Sequence, residues 1–194
     1  MSMEEHAYSV LVVSSAESFN NAMTAMLPKA SFQPGINVPT ISAARRAIAE
    51  RSFDFVIINA PVKDDLGVRF AIDCSTSHHA LVLLLIPNEI HADVYAKVGE
   101  HGVFTQPKPM SKQAMDNALR WLLTAKRKLL GAEKKTTKME DKMEEIRLVN
   151  KAKWLLISKE GMLEPEAHRF LEKEAMDRCI TKKALAEEVI RKYT

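Results

Sequence analysis

The sequence predicts two fold classes in one chain, an α/β domain followed by an all-α region. The first hundred residues alternate short apolar runs with amphipathic stretches, which is typical of parallel strands joined by helices. From Ser111 onward, apolar residues recur at helical spacing instead. Gly161 and Pro165 then mark a helix end and a new helix start. We therefore expect a doubly wound, five-stranded parallel sheet, a long connector helix and a C-terminal three-helix module.

Five apolar segments are predicted as strands. The third and fourth are almost wholly apolar, and such strands suit a sheet that is covered by helices on both faces. The second segment is the weakest of the five. The predicted strands are residues 8–13, 36–38, 53–58, 81–86 and 103–105.

Helices are predicted between several of these strands. The first opens at Ser14 and Ser15, and its apolar residues recur at helical spacing up to residue 27. Ser42 is the predicted N-cap of the second helix, because a serine hydroxyl can accept a hydrogen bond from a free backbone N–H of the first turn. A further helix is expected over residues 92–100.

The connector that follows carries a long apolar stripe at spacings of three, four and seven, interrupted by a polar gap over 133–138. We interpret this stripe as a coiled-coil dimer seam. The alternative is a helix folded back on its own domain, because Lys126 and Glu133 interrupt the heptads, and Gly131 is a candidate bend or break. The stripe comprises Met115, Leu119, Leu122, Leu129, Met139, Met143 and Ile146.

Three short amphipathic helices are predicted in the tail. The first covers 145–159 and ends at Gly161, which is suited to a left-handed C-terminal cap. Pro165 is expected at the first position of the second helix, and Thr181 is the predicted N-cap of the third. Because none of these helices can bury its apolar face alone, we expect them to pack together.

Composition and charge narrow the class of protein. The chain has 194 residues and two cysteines, Cys74 and Cys179, without a disulfide pattern, which favours a reducing cytoplasm. Its longest apolar run, 80–86, is far too short to cross a membrane, and the N-terminus is not signal-like. The net charge of +3 is uneven. Residues 108–138 carry 9 basic and 2 acidic residues, whereas residues 139–194 carry 12 of each.

The sequence lacks motifs for the common enzymatic chemistries. We find no glycine-rich phosphate loop, no helix with paired metal-binding histidines, and no serine or cysteine nucleophile motif. His78 and His79 are adjacent, so on a regular element they point in different directions. We therefore expect a protein that is not an enzyme and that needs no cofactor or metal.

Residues 7–123 resemble the receiver domain of bacterial two-component response regulators, although only Lys108-Pro109 fits that family's pocket motif. Ser14-Ser15 replaces the family's acidic pair, Asn59 stands at the phosphoacceptor position, and the hydroxyl position falls at Ile86 or Pro87. An amide cannot act as the nucleophilic carboxylate, and two serines with an amide make a poor Mg²⁺ site. The resemblance therefore implies a pseudo-receiver that works without phosphorylation. The alternative is that Asp64 or Asp65, in the following loop, replaces the lost carboxylate.

Several short motifs of the tail follow one another at a characteristic spacing: residues 147–153, Glu166-Ala167, Phe170-Leu171, Ala175-Met176 and Leu185-Ala186. In this pattern the tail resembles the ANTAR domain over about residues 143–191. The resemblance implies a homodimer, formed through the connector coiled coil, that binds paired stem-loops in nascent mRNA and prevents a terminator hairpin from forming.

Two residues depart from the ANTAR pattern. Trp154 replaces a small residue, and it either stacks on an unpaired RNA base or belongs to the core. Glu172 stands where a basic residue is common and would repel phosphate if it faced RNA. Ala152 and Ala175 either allow close approach of a base or pack in the core. The RNA-binding candidates are Lys151, Ala152, Lys153, Trp154, Ala175, Arg178, Lys182 and Lys183.

Together these observations predict a domain order and a function. The predicted parts are a receiver-like domain over 1–123, a connector helix over 111–145 and an ANTAR-like module over 143–194. The leading hypothesis is an RNA-binding antitermination regulator, with a sensor or other regulatory protein as a further partner. The alternative is a protein-interaction scaffold whose helical tail does not bind RNA.

Overall fold

The computed structural model describes residues 7–27, 31–33, 35–63 and 65–193. The chain divides into two compact units between Arg127 and Lys128. We call residues 1–127 the sheet domain and residues 128–194 the helical module, and we describe each by itself.

The sheet domain contains the five parallel strands that the sequence predicts, in the order β2-β1-β3-β4-β5. The central strands are fully buried because they are almost entirely apolar, and helices cover both of their faces. In the register, Val13 lies beside Ile58, and Asn59 lies beside Leu85. The carboxyl ends of β1, β3 and β4 therefore meet at one edge. The strands are β1 Val10–Val13, β2 Ile36–Val38, β3 Phe55–Asn59, β4 Leu81–Pro87 and β5 Phe104–Lys108.

Four helices connect these strands: α1 Glu17–Met26, α2 Ile41–Glu50, α3 Val68–Ser77 and α4 Asn88–Val98. The prediction of Ser42 as the N-cap of α2 is wrong, because Thr40 Oγ1 accepts the capping bond from the Ala43 N–H at 3.1 Å. Helix α3 was not predicted. Only Phe70, Ala71 and Cys74 are buried in it, so the apolar signal is short.

Helix α5 spans Lys112–Glu160 without interruption. The predictions of a separate helix over 145–159 and of a break at Gly131 are therefore wrong. One glycine costs a helix only about 1 kcal/mol relative to alanine, and the residues around Gly131 favour helix. A Cβ added at Gly131 would meet no atom of the described residues within 4 Å outside the helix backbone, so no close packing requires a glycine there. Although α5 is long, no helix in the described part of the chain is apolar enough to span a membrane.

The helical module packs the end of α5 against α6, Glu164–Asp177, and α7, Lys182–Tyr193. Gly161 adopts a positive φ of 72° just after α5, which is the left-handed cap that the sequence predicts. Pro165 is the second residue of α6 rather than the first, and it lies within the turn where a missing N–H costs little. Thr181 Oγ1 accepts a hydrogen bond from the Ala184 N–H at 3.1 Å and so begins α7 as predicted.

Candidate functional site

The first candidate site is a polar pocket at the carboxyl edge of the sheet. Lys108 ends β5, and its Nζ donates a hydrogen bond to Asn59 Oδ1 at 2.8 Å. Asn59 ends β3, and its Nδ2 donates to Ser14 Oγ at 3.1 Å. The same Ser14 oxygen accepts from the Ala16 N–H at 3.1 Å. The structure thus brings together three of the four predicted pocket residues, while the Ser15 side chain is exposed.

The pocket contains a positive charge and no carboxylate partner among these residues. Burial lowers the pKa of Lys108, because removal from water disfavours the ammonium form. Its Nζ donates to the amide oxygen of Asn59, which is a neutral acceptor. The Asp65 carboxylate is used elsewhere, since its Oδ1 accepts from the Gly67 N–H at 2.7 Å and holds the loop before α3. Asp64 lies outside the described residues.

This donor set does not suit the chemistry of a phosphorylated receiver. A hydroxyl, an amide and an ammonium group provide no carboxylate nucleophile. Hard divalent cations prefer carboxylate oxygens, and the Lys108 ammonium beside Asn59 would repel one. Asn59, Ser14 and Lys108 instead satisfy one another, so the pocket is a closed hydrogen-bonded cluster.

A second polar cluster, which the sequence analysis missed, lies at the opposite edge of the sheet. Asp54 Oδ2 accepts hydrogen bonds from the Ser9 N–H and hydroxyl at 2.9 and 3.0 Å. Lys126, on the first part of α5, places its Nζ 3.1 Å from Asp54 Oδ1. Burial acts to raise the pKa of Asp54, but the bonds from Ser9 and Lys126 outweigh it and hold that pKa below its ordinary value. The sequence signal was Lys126 itself, a charge inside an apolar stripe.

In the helical module, the two alanines predicted near RNA belong to the core. Ala152 is fully buried and Ala175 nearly so, and both pack with Leu156, Leu171 and Leu185. Of the two interpretations of these alanines, packing is the one that the structure shows. Their inclusion among surface RNA-binding candidates is corrected accordingly, because a buried methyl group cannot contact a ligand.

Trp154, unlike these two buried alanines, lies on the surface of the module. It is 65% exposed, so the interpretation that it belongs to the core is wrong. Leu155 and Leu156 turn inward, whereas Trp154 lies on the outward face of α5. Lys151 is exposed three residues earlier, and therefore on the same side of the helix. The module thus presents an indole and an ammonium group together.

Four of the predicted basic contacts are paired with carboxylates of the same module. Lys182 Nζ lies 2.5 Å from Glu172, so the carboxylate that departs from the ANTAR pattern is paired within the module. The other pairs are Lys153–Glu164 at 2.9 Å, Arg178–Glu188 at 2.7 Å and Lys183–Glu144 at 2.5 Å.

These ion pairs shift the pKa values of exposed groups in the expected directions. The hydrogen bond from Lys182 lowers the pKa of Glu172, and that from Lys153 lowers the pKa of Glu164. The bonds to Glu188 raise the pKa of Arg178. Because water and salt screen exposed pairs, they stabilise the fold little. Their main effect is to cancel the positive charge of the module surface.

Comparison with known proteins identifies the helical module. The family model of the ANTAR domain matches residues 137–190. The chain is 27% identical over 138 residues to the transcriptional regulatory protein PdtaR of Mycobacterium tuberculosis, a match that covers 71% of this chain and 67% of that protein.

The sheet domain is similar to solved receiver domains. The signal receiver domain of an HD domain-containing protein from Pseudomonas fluorescens matches with a TM-score of 0.58 and 19% identity, covering 68% of this chain and 97% of that chain. The chemotaxis response regulator CheY4 of Vibrio cholerae matches with a TM-score of 0.52 and 16% identity, covering 60% and 98%. At these identities the likeness establishes the fold alone. The chain therefore joins a receiver-like fold to a C-terminal ANTAR domain.

Proposed function

We propose that this protein is a transcription antitermination regulator that binds paired stem-loops in nascent mRNA as a homodimer, without control by aspartyl phosphorylation. The observation that carries the proposal is the ANTAR match over residues 137–190, which falls on a fully formed helical module. The similarity to a transcriptional regulatory protein supports the same class of function.

The charge distribution favours recognition of RNA loops over clamping of an RNA duplex. Residues 139–194 carry equal numbers of acidic and basic residues, and four basic candidates are already paired. Such a surface attracts phosphate weakly. Loop bases are instead read by hydrogen bonds and by stacking on aromatic side chains. Trp154 and Lys151 are the residues best placed for this mode.

Binding to RNA can be tested with a two-stem-loop leader RNA and with the same stems carrying scrambled loops. We expect the intact loops to bind more tightly, and Trp154→Ala to weaken binding by about 1–3 kcal/mol, the value of one stacked base. Trp121→Ala is the matched control, because Trp121 is equally exposed, at 64%, but lies in the sheet domain. Equal binding of both RNAs would contradict the proposal.

Independence from phosphorylation rests on the closed pocket of Ser14, Asn59 and Lys108. Incubation with acetyl phosphate and Mg²⁺ should leave the intact mass unchanged, because no carboxylate nucleophile lies among these residues. A stoichiometric gain of one phosphoryl group would contradict this part of the proposal, and the labelled residue would show whether Asp64 or Asp65 had replaced the lost acceptor.

One observation favours the second candidate function, a protein-interaction scaffold. Tyr95, Phe104 and Trp121 are all exposed around a cleft of about 430 Å³ on the sheet domain. Exposed aromatic clusters often mark protein contacts. Such a surface would also serve the sensor or regulatory partner of an RNA-binding regulator, so the leader RNA experiment discriminates between the two functions.

A further inference from the structure

A cleft of about 390 Å³ opens between the three helices of the helical module. Its floor is apolar, because Leu156 of α5 and Leu185 and Val189 of α7 are buried core residues. Phe170 of α6 also lines the cleft but is 38% exposed, so its ring stands at the mouth. Clefts of this size, with an apolar floor and a few polar groups, are typical of binding sites.

The two basic side chains among the described residues that line this cleft are already paired. Arg178 donates from both of its terminal nitrogens to the carboxylate of Glu188, at 2.7 and 3.0 Å. Lys192 Nζ donates to Glu160 Oε1 at 3.1 Å. Neither cation is therefore available to bind a phosphate without first giving up its carboxylate.

A third carboxylate at the cleft, that of Glu174, has no such partner. Glu174 is half-buried, and its side chain makes no hydrogen bond or ion pair within the described part of the chain. After the larger effect of the bonds to Glu188, the charge of Glu174 also raises the pKa of Arg178, so it acts on that guanidinium without bonding to it. With three glutamates against one arginine and one lysine, the lining has a net charge of −1.

Phe170 and Glu174 are four residues apart on α6, so the exposed ring and the unpaired carboxylate are neighbours on one face of the helix. This combination suits a guanidinium group. Its flat face stacks on an aromatic ring, and its paired N–H groups donate to both oxygens of a carboxylate. A phosphate group would instead be repelled by Glu174.

We propose that this cleft is a docking site for a partner protein, which places an arginine against Phe170 and Glu174 and a neighbouring aliphatic side chain on the apolar floor. The negative charge of the lining selects the cation, and the buried leucines and valine of the floor select the aliphatic group. The cleft is large enough for these two side chains and not for a whole helix.

This site is separate from the surface that we propose for RNA. Trp154 and Leu156 are two residues apart, so their side chains point about 200° apart around α5. Trp154 is exposed, whereas Leu156 is buried in the floor of the cleft. RNA and the partner protein therefore bind different faces of the module, and each leaves the other's site open.

The capped tripeptide acetyl-leucyl-alanyl-arginine amide tests the site in the full-length protein, because its first and third side chains lie on one side when the chain is extended. At millimolar concentration it should shift the backbone amide signals of Phe170 and Glu174 in two-dimensional NMR spectra. Replacing arginine by citrulline, its neutral isostere, should weaken binding roughly three- to ten-fold. Replacing the leucine by glycine should weaken it roughly five- to ten-fold, because the floor stays uncovered.

Two outcomes with these peptides would overturn the proposal. If the arginine peptide shifts no amide at the cleft, or binds no better than the citrulline peptide, the cleft does not select a cation. If the glycine peptide binds as tightly as the leucine peptide, the floor is not used, and a small guanidinium compound rather than a protein segment is the ligand.

Substitutions in the cleft test the two contact residues. Glu174→Gln should weaken the arginine peptide roughly three- to ten-fold and leave the urea midpoint unchanged, since Glu174 bonds to no described side chain. Phe170→Leu keeps an apolar side chain but removes the ring, and should weaken it roughly two- to five-fold. Glu187→Gln, exposed on α7 and outside the cleft, is the matched control. If Glu174→Gln binds the peptide as tightly as the unchanged protein, the proposal is wrong.

Leader RNA and guanosine 5′-monophosphate test whether the cleft is instead a site for an RNA base. The RNA should leave the affinity for the arginine peptide unchanged, and the nucleotide should shift neither Phe170 nor Glu174. Displacement of the peptide by the RNA, or shifts at both residues with the nucleotide, would make the cleft part of the RNA surface and overturn the proposal. If the peptide binds as expected and the leader RNA does not bind at all, only the proposed function fails.

Discussion

The pocket of the sheet domain and the surface of the helical module differ in what their basic side chains bond to. In the pocket, Ser14, Asn59 and Lys108 include no carboxylate, and Lys108 donates its hydrogen bond to the neutral amide oxygen of Asn59. On the module, the charges remain but are cancelled in pairs such as Lys182–Glu172. The comparison teaches that a lysine can be held by a neutral hydrogen-bond acceptor, as in the pocket, or neutralised by a carboxylate, as on the module.

The largest expected effect concerns the core that supports the module surface. Leu171→Ala should destabilise the helical module by about 2–5 kcal/mol, because Leu171 is 1% exposed and its removal leaves a cavity between α6 and the helices that pack against it. Met176→Ala, on the same helix but 77% exposed, should have little effect. Urea unfolding followed by far-UV circular dichroism measures both. Equal midpoints for the two variants would contradict the packing described for α6.

The next largest expected effect concerns the ion pair between Asp54 and Lys126 in the sheet domain. Asp54→Asn should destabilise this domain by about 1–3 kcal/mol at neutral pH, because it removes the charged partner of Ser9 and Lys126. Since the folded pKa of Asp54 lies below its ordinary value of 3.8, this stabilisation is present above pH 3.8 and is lost as the pH falls through the folded pKa.

Urea unfolding at several pH values checks the direction of this pH dependence. The difference between Asp54→Asn and the unchanged protein should shrink below pH 3.8. Asp73→Asn is the control, because its pair with Arg45 is exposed and should contribute little at any pH. A difference that grew as the pH fell would show that Asp54 is not stabilised as the carboxylate.

The smallest expected effect concerns Lys182, whose positive charge is neutralised by Glu172. Glu172→Gln frees Lys182 and should leave the unfolding transition unchanged while tightening leader RNA binding roughly two- to five-fold at low salt. Glu89→Gln, in the first turn of α4 in the sheet domain, is the control for net charge. If Glu172→Gln weakened RNA binding, Glu172 would be an RNA contact rather than a mask for Lys182.

The fold was largely predictable because its signals are local. Strands β3 and β4 are continuous apolar runs. Gly161 and Thr181 are residue types that commonly cap helices, so their roles can be predicted from the sequence. Helix α3 was missed because only three of its residues are buried. The continuity of α5 was harder to predict, because one glycine costs a helix only about 1 kcal/mol and the helix formers on both sides of Gly131 outweigh it.

The candidate sites were only partly predictable, because their contacts join residues that are distant in sequence. The pocket followed from the receiver resemblance, which places strand ends together. The ion pairs did not: Lys183 and Glu144 are 39 residues apart, and only the packing of α7 on α5 brings them together. The exposure of Trp154 likewise depends on which face of α5 the alanine core occupies.

The salt dependence of leader RNA binding tests the central claim most directly, that the module reads loops by stacking with little phosphate charge. We expect a shallow slope of log affinity against log salt, of about one to three counterions, at about −0.7 per phosphate. Lys151→Ala should flatten it more than Lys153→Ala, because Lys153 is already paired with Glu164. A steep slope, insensitive to Trp154→Ala and to the loop sequence, would contradict the account.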